Sequence, residues 1–159
     1  MSRTDRAGRV IAAPREAIYS ALTDRAALER WLPPEGMRGR IEHWDLRPGG
    51  GFRMVLTYLD PTGAPGKSSD ATDVVTIGFA ELVPPERVVQ TAVFDSDDPA
   101  FAGTMTMTWD LTPAGHGTEA ATEVTVTAEG VPSGIDQTTH EAGIASSLAN
   151  LAAYLKQTG

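Results

Sequence analysis

The fold of this chain is decided by residues 123–157, which read EVTVTAEGVPSGIDQTTHEAGIASSLANLAAYLKQ. At the start of the stretch, apolar and polar side chains alternate, which is the period of a strand with one buried face. After Pro132 the apolar residues recur instead at spacings of four, three and four. They are Ile144, Leu148, Leu151 and Leu155. This spacing is typical of one face of a helix, so the sequence predicts a final strand and then a helix that ends near Gln157.

Upstream of this stretch, several more segments have the strand period. The clearest is residues 104–111, TMTMTWDL, in which small polar residues alternate with large apolar ones. The side chains predicted to face inward there are Met105, Met107, Trp109 and Leu111. The other predicted strands are residues 41–46, 52–59, 74–83 and 87–94, separated by turns rich in glycine, proline and aspartate. Residues 60–73 are predicted to form a polar loop.

Two short helices are predicted near the N-terminus, after a first strand that ends at about residue 12. Pro14 occupies a position that suits the first residue of a helix. Asp24 can cap the second helix, which the following prolines end. At the start of the long helix, Ser133 and Asp136 have the spacing of a capping box.

The order of these elements predicts an α+β fold. A curved antiparallel sheet of about six to seven strands has one apolar face to cover, and only the last helix is long enough to cover it. We therefore expect one domain, residues 1–159, in which the sheet wraps around the long C-terminal helix. Toward its N-terminus the apolar stripe of that helix continues with His140 and Gln137. This change from apolar to polar predicts a cavity beneath the first half of the helix.

Composition excludes several classes of function. The chain carries a formal net charge of −8 and has no cluster of lysine and arginine, so we expect no binding to nucleic acid. It has no cysteine, which excludes thiol catalysis and thiolate metal ligands. No apolar run approaches the length needed to span a bilayer, and the N-terminus has no apolar signal segment. We expect a soluble, cytoplasmic protein without membrane insertion.

Several segments resemble one known superfamily. Pro14, Ile18 and Tyr19, followed by residues 23–32, resemble the opening of the SRPBCC (START/Bet v-like) superfamily. Residues 45–53, DLRPGGGFR, and residues 81–89, ELVPPERVV, are similar to two signatures of its branch named after activators of the heat shock protein 90 ATPase. His140, Gly143 and the leucines that follow are similar to its C-terminal helix. The resemblance covers essentially the whole chain in order.

The resemblance implies the helix-grip fold, with a ligand pocket between the sheet and the C-terminal helix. It implies less about function, because the scaffold hosts carriers, polyketide cyclases and co-chaperone modules. Where this family usually has an aromatic pair in the fifth strand and a tryptophan on the last helix, this chain has Gln90, Ala92 and Ile144. If all three face the cavity, we expect it to be wider and slightly more polar, and to accept a bulkier ligand.

The inner face of the predicted sheet is rich in methionine and aromatic residues, which suits an adaptable apolar pocket. Each of these positions, taken alone, is more often part of a hydrophobic core than a ligand contact. The predicted ligand-binding residues are Trp31, Phe52, Met54, Phe79, Gln90, Phe94, Met105, Met107, Trp109 and Ile144.

His140 and Glu81 are the candidates for acid–base chemistry. His140 lies on the buried stripe of the last helix, and strand parity with Phe79 turns Glu81 inward. Within hydrogen-bonding distance of each other they would form a general acid–base pair. The alternatives are structural: His140 packs against the sheet edge with one nitrogen bonded to a carbonyl, or a bulge delivers Glu81 to solvent or to Arg87.

The other two histidines suggest no site. His43 is expected to point outward if Trp44 points inward, and His116 to lie in a solvated turn. The three histidines lack the acidic companions of a metal site, so we expect no metal and no cofactor.

Three functions stay open. The favoured one is binding of a small hydrophobic or aromatic molecule, as in a carrier or sensor. The second is a polyketide cyclase- or hydratase-like enzyme that uses the same cavity for acid–base chemistry without a metal. The third is a module that modulates a chaperone ATPase. The resemblance also allows a homodimer, for which the sequence specifies no interface.

Overall fold

One antiparallel sheet of seven strands and one long helix dominate the architecture. The computed structural model describes residues 3–33, 36–59, 72–115 and 120–158. The strands are β1 (Arg3–Ile11), β2 (Met37–Asp45), β3 (Gly51–Tyr58), β4 (Thr72–Val83), β5 (Arg87–Phe94), β6 (Met105–Pro113) and β7 (Thr122–Val131). The α-helices are α1 (Arg15–Leu22), α2 (Arg25–Trp31) and α3 (Gln137–Thr158).

The strand order in the sheet is β1-β7-β6-β5-β4-β3-β2. Strands β2 to β7 therefore pair with their neighbours in the chain, and the N-terminal strand returns to pair with the last one. This is the α+β helix-grip arrangement, which confirms the predicted fold class. The pairing of β1 with β7 brings the beginning of the chain beside the segment that leads into α3.

The inward face of the sheet follows the predicted alternation. On β6, Met105, Trp109 and Leu111 are buried, and on β7 Val124 and Val126 are completely buried. Trp109 lies opposite Val126 in the register, so the two strands contribute to one continuous apolar layer. On α3, Ile144, Leu148 and Leu151 are buried and Leu155 is partly buried against the core, as the helical spacing predicts.

The long helix begins one residue after Asp136, and this corrects the predicted cap. The Asp136 carboxylate accepts hydrogen bonds from the backbone N–H and the hydroxyl of Thr139, at 2.9 and 3.1 Å. Ser133 lies within a turn that the hydrogen bond from the Ile135 N–H to the Pro132 carbonyl closes, before the first helical turn. The capping residue is therefore Asp136 and not Ser133.

The two predicted short helices both form. Pro14 is the residue before α1 and not its first residue, so the helix begins one position later than predicted, and the Asp24 carboxylate caps α2 by accepting the Ala27 N–H at 3.1 Å. The Trp31 indole donates to the Ala21 carbonyl at 2.9 Å, which ties α2 to α1. This places Trp31, at the end of α2, against the buried face of the sheet.

Of the two remaining histidines, the structure describes His43. His43 is exposed on a bulge of β2 and has a φ of 56°, which agrees with its expected outward orientation. The expected polar loop lies mostly outside the described residues, and His116 lies outside them too.

Among the residues that the structure describes, no helix is both long and apolar enough to cross a membrane.

Candidate functional site

A cavity of about 400 Å³ lies between the sheet and the first half of α3. Strands β3, β4, β5 and β6 form its floor, and α3 contributes Thr139, His140, Gly143, Ile144 and Ser147. Most of the lining is aliphatic, aromatic or methionine side chain. The cavity is where the change from apolar to polar along the helix stripe predicted it, although Gln137 is exposed and does not line it.

Most of the predicted ligand-binding residues line this cavity. They are Met54, Gln90, Phe94, Met105, Met107, Trp109 and Ile144. All three positions at which the chain departs from its family pattern also line it, namely Gln90, Ala92 and Ile144. The geometric condition for a wider and more polar cavity is therefore met. That the ligand is bulkier stays a prediction.

Three predicted lining residues are part of the packed core instead. Trp31 is fully buried, and its ring packs edge-on against Trp109 with centroids 5.7 Å apart. Phe52 and Phe79 form an aromatic cluster with Trp44, with centroid distances of 5.3 to 5.8 Å. Their rings pack against one another, so the correct inward parity does not bring them to the cavity surface.

Among the described residues that line the cavity, Gln90 is the one with a side-chain amide, and it is 4% exposed. The Trp109 indole N–H donates to its side-chain oxygen Oε1 at 3.1 Å within the protein interior. The bond joins neighbouring strands, because Gln90 lies on β5 and Trp109 on β6. It holds the amide in place against an otherwise apolar surface.

Tyr58 and Asp73 form a second polar region of the cavity lining. Asp73 is buried on β4, and Tyr58 is at the end of the neighbouring strand β3. Burial raises the pKa of the Tyr58 hydroxyl, and the negative charge of Asp73 raises it further. Tyr58 therefore keeps its proton at neutral pH and can donate a hydrogen bond.

His140 lies on the cavity wall and is bonded to a carboxylate from the other end of the chain. Its Nδ1 is 2.7 Å from Asp5 Oδ2, and the side chain of Asp5 is fully buried. The Arg3 guanidinium binds the same carboxylate through two hydrogen bonds, at 2.7 and 2.9 Å. These hydrogen bonds from Arg3, with a smaller contribution from His140, outweigh burial and hold the pKa of Asp5 below its ordinary value.

The ionised Asp5 carboxylate decides which nitrogen of His140 carries the proton. A carboxylate can only accept, so the imidazole must donate from Nδ1. In the neutral ring Nε2 is then an acceptor and can act as a base. This arrangement replaces the expected bond between His140 and a backbone carbonyl.

The predicted inward orientation of Glu81 is wrong. Its carboxylate is 49% exposed and lies 3.3 Å from the Arg87 guanidinium. The register between β4 and β5 shifts between Phe79 and Glu81, and such a bulge moves every later side chain to the other face. The expected Glu81–His140 pair therefore does not form, and the alternative that the sequence left open, a bulge that turns Glu81 toward Arg87, holds.

Sequence reasoning missed Asp5, Tyr58, Asp73 and Gly143 as residues of the site. Asp5 is 135 residues from His140 in sequence, and the only local signal was its parity with Ile11 on a strand that begins in a charged segment. Gly143 was noted only as part of the family pattern. Within the described ranges, no cluster of three or more histidine, aspartate or glutamate side chains could hold a metal ion.

Comparison with known proteins places the chain in a family. A family model described as Activator of Hsp90 ATPase homolog 1-like protein matches residues 12–156. A comparison with curated proteins finds no match.

Solved structures share the fold over nearly the whole chain. Protein CV1439 from Chromobacterium violaceum is 33% identical, with a TM-score of 0.79 and 94% of each chain covered. Protein NE0264 from Nitrosomonas europaea is 26% identical, with a TM-score of 0.70, and the match covers 98% of this chain and 95% of that one. DynU16, a protein of the dynemicin biosynthetic locus, is 21% identical with a TM-score of 0.65, and the match covers 96% of this chain and 47% of that one. At this identity the last likeness shows the fold alone.

Proposed function

Because this chain belongs to the family of Activator of Hsp90 ATPase homolog 1-like proteins, within the SRPBCC superfamily, we propose that it binds a small, largely hydrophobic molecule between its sheet and α3. The observation that carries the proposal is the cavity of about 400 Å³. Its size falls in the range of small-molecule sites, and its apolar walls with a few polar groups are typical of such sites.

The lining chemistry supports an apolar ligand. Transfer of apolar surface from water stabilises a complex by roughly 25 cal/mol per Å². Met37, Met54, Met105 and Met107 all line the cavity. Methionine side chains are flexible and polarisable, so this wall can adapt to ligands of different shape. The polar groups, chiefly Gln90 and His140, would orient the bound ligand and would contribute less to its affinity than the apolar walls.

Gly143 offers a direct test of occupancy. It lines the cavity from α3, and a Cβ added there would meet no heavy atom within 4 Å. The Cβ of a leucine at this position therefore has space, and the rest of the side chain would take up volume of the cavity. Ala145 lies on the exposed face of the same helix, so Ala145→Leu is a matched control with the same new side chain.

We predict that Gly143→Leu lowers the affinity for apolar ligands at least tenfold, while Ala145→Leu leaves it unchanged. The measurement is a thermal-shift screen against fatty acids, sterols and aromatic polyketides, together with native mass spectrometry of the purified protein. Replacing a helical glycine raises helix stability by up to about 1 kcal/mol, so the ligand-free melting temperature of Gly143→Leu should not fall. Equal binding by both variants, or no binding by the wild type, would contradict the proposal.

A second candidate, acid–base catalysis in the same cavity, is favoured by the Asp5–His140 pair. A buried carboxylate that orients a histidine leaves Nε2 as a base at the cavity wall. The screen separates the two functions, since a carrier returns its ligand unchanged and an enzyme returns a product of different mass or retention time. Such a conversion should be lost in His140→Ala.

Modulation of a chaperone ATPase, the third function, is supported only by the description of the matching family. It needs a protein-binding face rather than a cavity. A successful pull-down with the chaperone, combined with a ligand screen without binders, would favour it over the function proposed here.

A further inference from the structure

The side-chain amide of Gln90 adds a hydrogen-bonding group to the cavity wall. Gln90 lies on β5, faces Met107 of β6 in the register, and is 4% exposed. An amide has one end that accepts hydrogen bonds and one end that donates them. The two ends have nearly the same shape, so the hydrogen-bond partner determines which end faces which way.

Trp109 determines the orientation of this amide. An indole N–H can donate but cannot accept, so the amide atom 3.1 Å from Trp109 Nε1 must be the oxygen. The amide nitrogen Nε2 therefore points away from Trp109. Rotating the amide by 180° would put two donors face to face inside the protein and leave both without a partner.

The amide nitrogen has no partner in the part of the chain that the structure describes. The bond from Trp109 accounts for the oxygen only. Among the described residues, Arg53 Nε is the one side-chain nitrogen or oxygen that is both sealed from solvent and without a hydrogen bond. Gln90 Nε2 is thus not sealed, and because Gln90 lines the cavity, the amide nitrogen is accessible from that space.

The surroundings of Gln90 favour a partner that accepts without donating. Its neighbours on the cavity wall are Ala92, Met107 and Trp109, and the only strong acceptor among these groups, Gln90 Oε1, is already bonded to the indole. A ligand hydroxyl would need an acceptor for its own proton, and the one amide oxygen beside it already accepts a hydrogen bond from the indole. A carbonyl oxygen brings no proton, and it can accept a hydrogen bond from one of the amide N–H groups.

We infer that the ligand is an apolar molecule with a carbonyl oxygen, such as an aryl ketone or a quinone, and that this oxygen accepts a hydrogen bond from Gln90 Nε2. The inference rests on the proposed ligand-binding function and names the chemical class of the ligand. It assigns Gln90 to ligand recognition, with Trp109 as the residue that positions its amide.

The test uses benzophenone and diphenylmethane, two probes of closely similar shape in which a carbonyl replaces a methylene. A neutral hydrogen bond corresponds to a preference on the order of two- to tenfold. We expect wild-type protein to prefer benzophenone by this factor in calorimetric titrations. Gln90→Met, which keeps a side chain of similar length but has no N–H, should bind both probes equally.

The apolar probe also reports whether the variant is intact. Unchanged affinity of Gln90→Met for diphenylmethane shows that the cavity has kept its shape, although Trp109 has lost its acceptor. If the variant does not fold, the wild type still decides the question by NMR. The side-chain amide resonances of Gln90 should move with benzophenone, as a new hydrogen bond requires, and much less with diphenylmethane.

The outcomes separate the two proposals. Equal binding of both probes by the wild type, or a ketone preference that persists in Gln90→Met, would overturn the role of Gln90 and leave the proposed function standing. If the wild type bound neither probe and nothing in the wider screen, the proposed function would fail and this inference with it.

Discussion

The carboxylate of Asp5 is fully buried and takes part in hydrogen bonds from two directions. Arg3 approaches it along β1, and His140 approaches it from the first turns of α3. Arg3 also donates to the Ile135 carbonyl in the segment that leads into α3. Arg3, Asp5 and His140 form one cluster, and this cluster joins β1 to α3 whether or not His140 contacts a ligand. A buried ion pair can be structural and functional together.

At this position we expect Asp5→Asn to lower the free energy of unfolding by about 2 kcal/mol, because hydrogen bonds to charged groups contribute about 1.5–3 kcal/mol. Urea denaturation of variant and wild type measures the difference. The control is Asp45→Asn. Asp45 pairs with Arg47 at the same sequence spacing and at 2.9 Å, but in solvent.

An exposed pair of this kind contributes at most about 1 kcal/mol. Asp45→Asn should therefore change stability much less than Asp5→Asn. If the two variants were equally stable, the cluster of Arg3, Asp5 and His140 would not stabilise the fold. Asp5 would then only orient His140.

The start of helix α3 is determined by hydrogen bonds to the side chain of the residue just before it. Hydrogen bonds from the Thr139 backbone N–H, and then from its hydroxyl, hold the pKa of the Asp136 carboxyl below its ordinary value. The carboxylate also lies at the positive end of the helix dipole. Ser133 is exposed, three residues earlier. The start of α3 is thus determined by Asp136, and it positions His140 one turn later.

We predict that Asp136→Ala lowers the melting temperature by a few degrees, whereas Ser133→Ala leaves it unchanged. The physical reason is that only Asp136 accepts an N–H from the first turn of the helix. Differential scanning calorimetry of the two variants measures both effects. A larger loss in Ser133→Ala would mean that the capping box expected from the sequence forms in solution.

At the scale of the whole molecule, two acidic groups with lowered pKa values lie at the junction of β1 and α3. They are Asp5 and Asp136. A group whose pKa is lower in the folded state binds fewer protons there than in the unfolded state. Its contribution to stability is present above its unfolded pKa, about 3.9 for aspartate, and is lost as pH falls through the folded value.

We therefore expect the urea midpoint to fall as the pH is lowered from about 5 to below about 4, the window set by the ordinary pKa of aspartate. Asp5→Asn should show a shallower fall, because one of the two linked groups is absent. The measurement is urea unfolding at a series of pH values followed by tryptophan fluorescence. Parallel curves for the variant and the wild type would show that Asp5 does not contribute to the acid response.

The local sequence pattern was sufficient to predict the strands and helices of this protein. Alternation predicted the inward faces of β6 and β7, helical spacing predicted the buried stripe of α3, and Asp24 indicated the start of α2. These features depend on residues within one or two turns of each other, so a single sequence contains them. The order of such elements, with one long helix to cover a sheet, was enough to predict the α+β class, and the resemblance to the SRPBCC superfamily implied the helix-grip fold.

The site depended on contacts between distant parts of the chain. A bulge of one residue turned Glu81 to solvent, and the pairing of β1 with β7 brought Asp5 to His140 across 135 residues. Parity showed that Phe52 and Phe79 face inward, but only the packing of their rings decided that they fill the core and do not line the cavity. Sequence by itself thus determined which face a side chain occupies wherever the strand keeps its alternation, but not beyond the bulge before Glu81. The tertiary structure decided what lies opposite that face, because this depends on strand register and on the position of α3, which no local pattern contains.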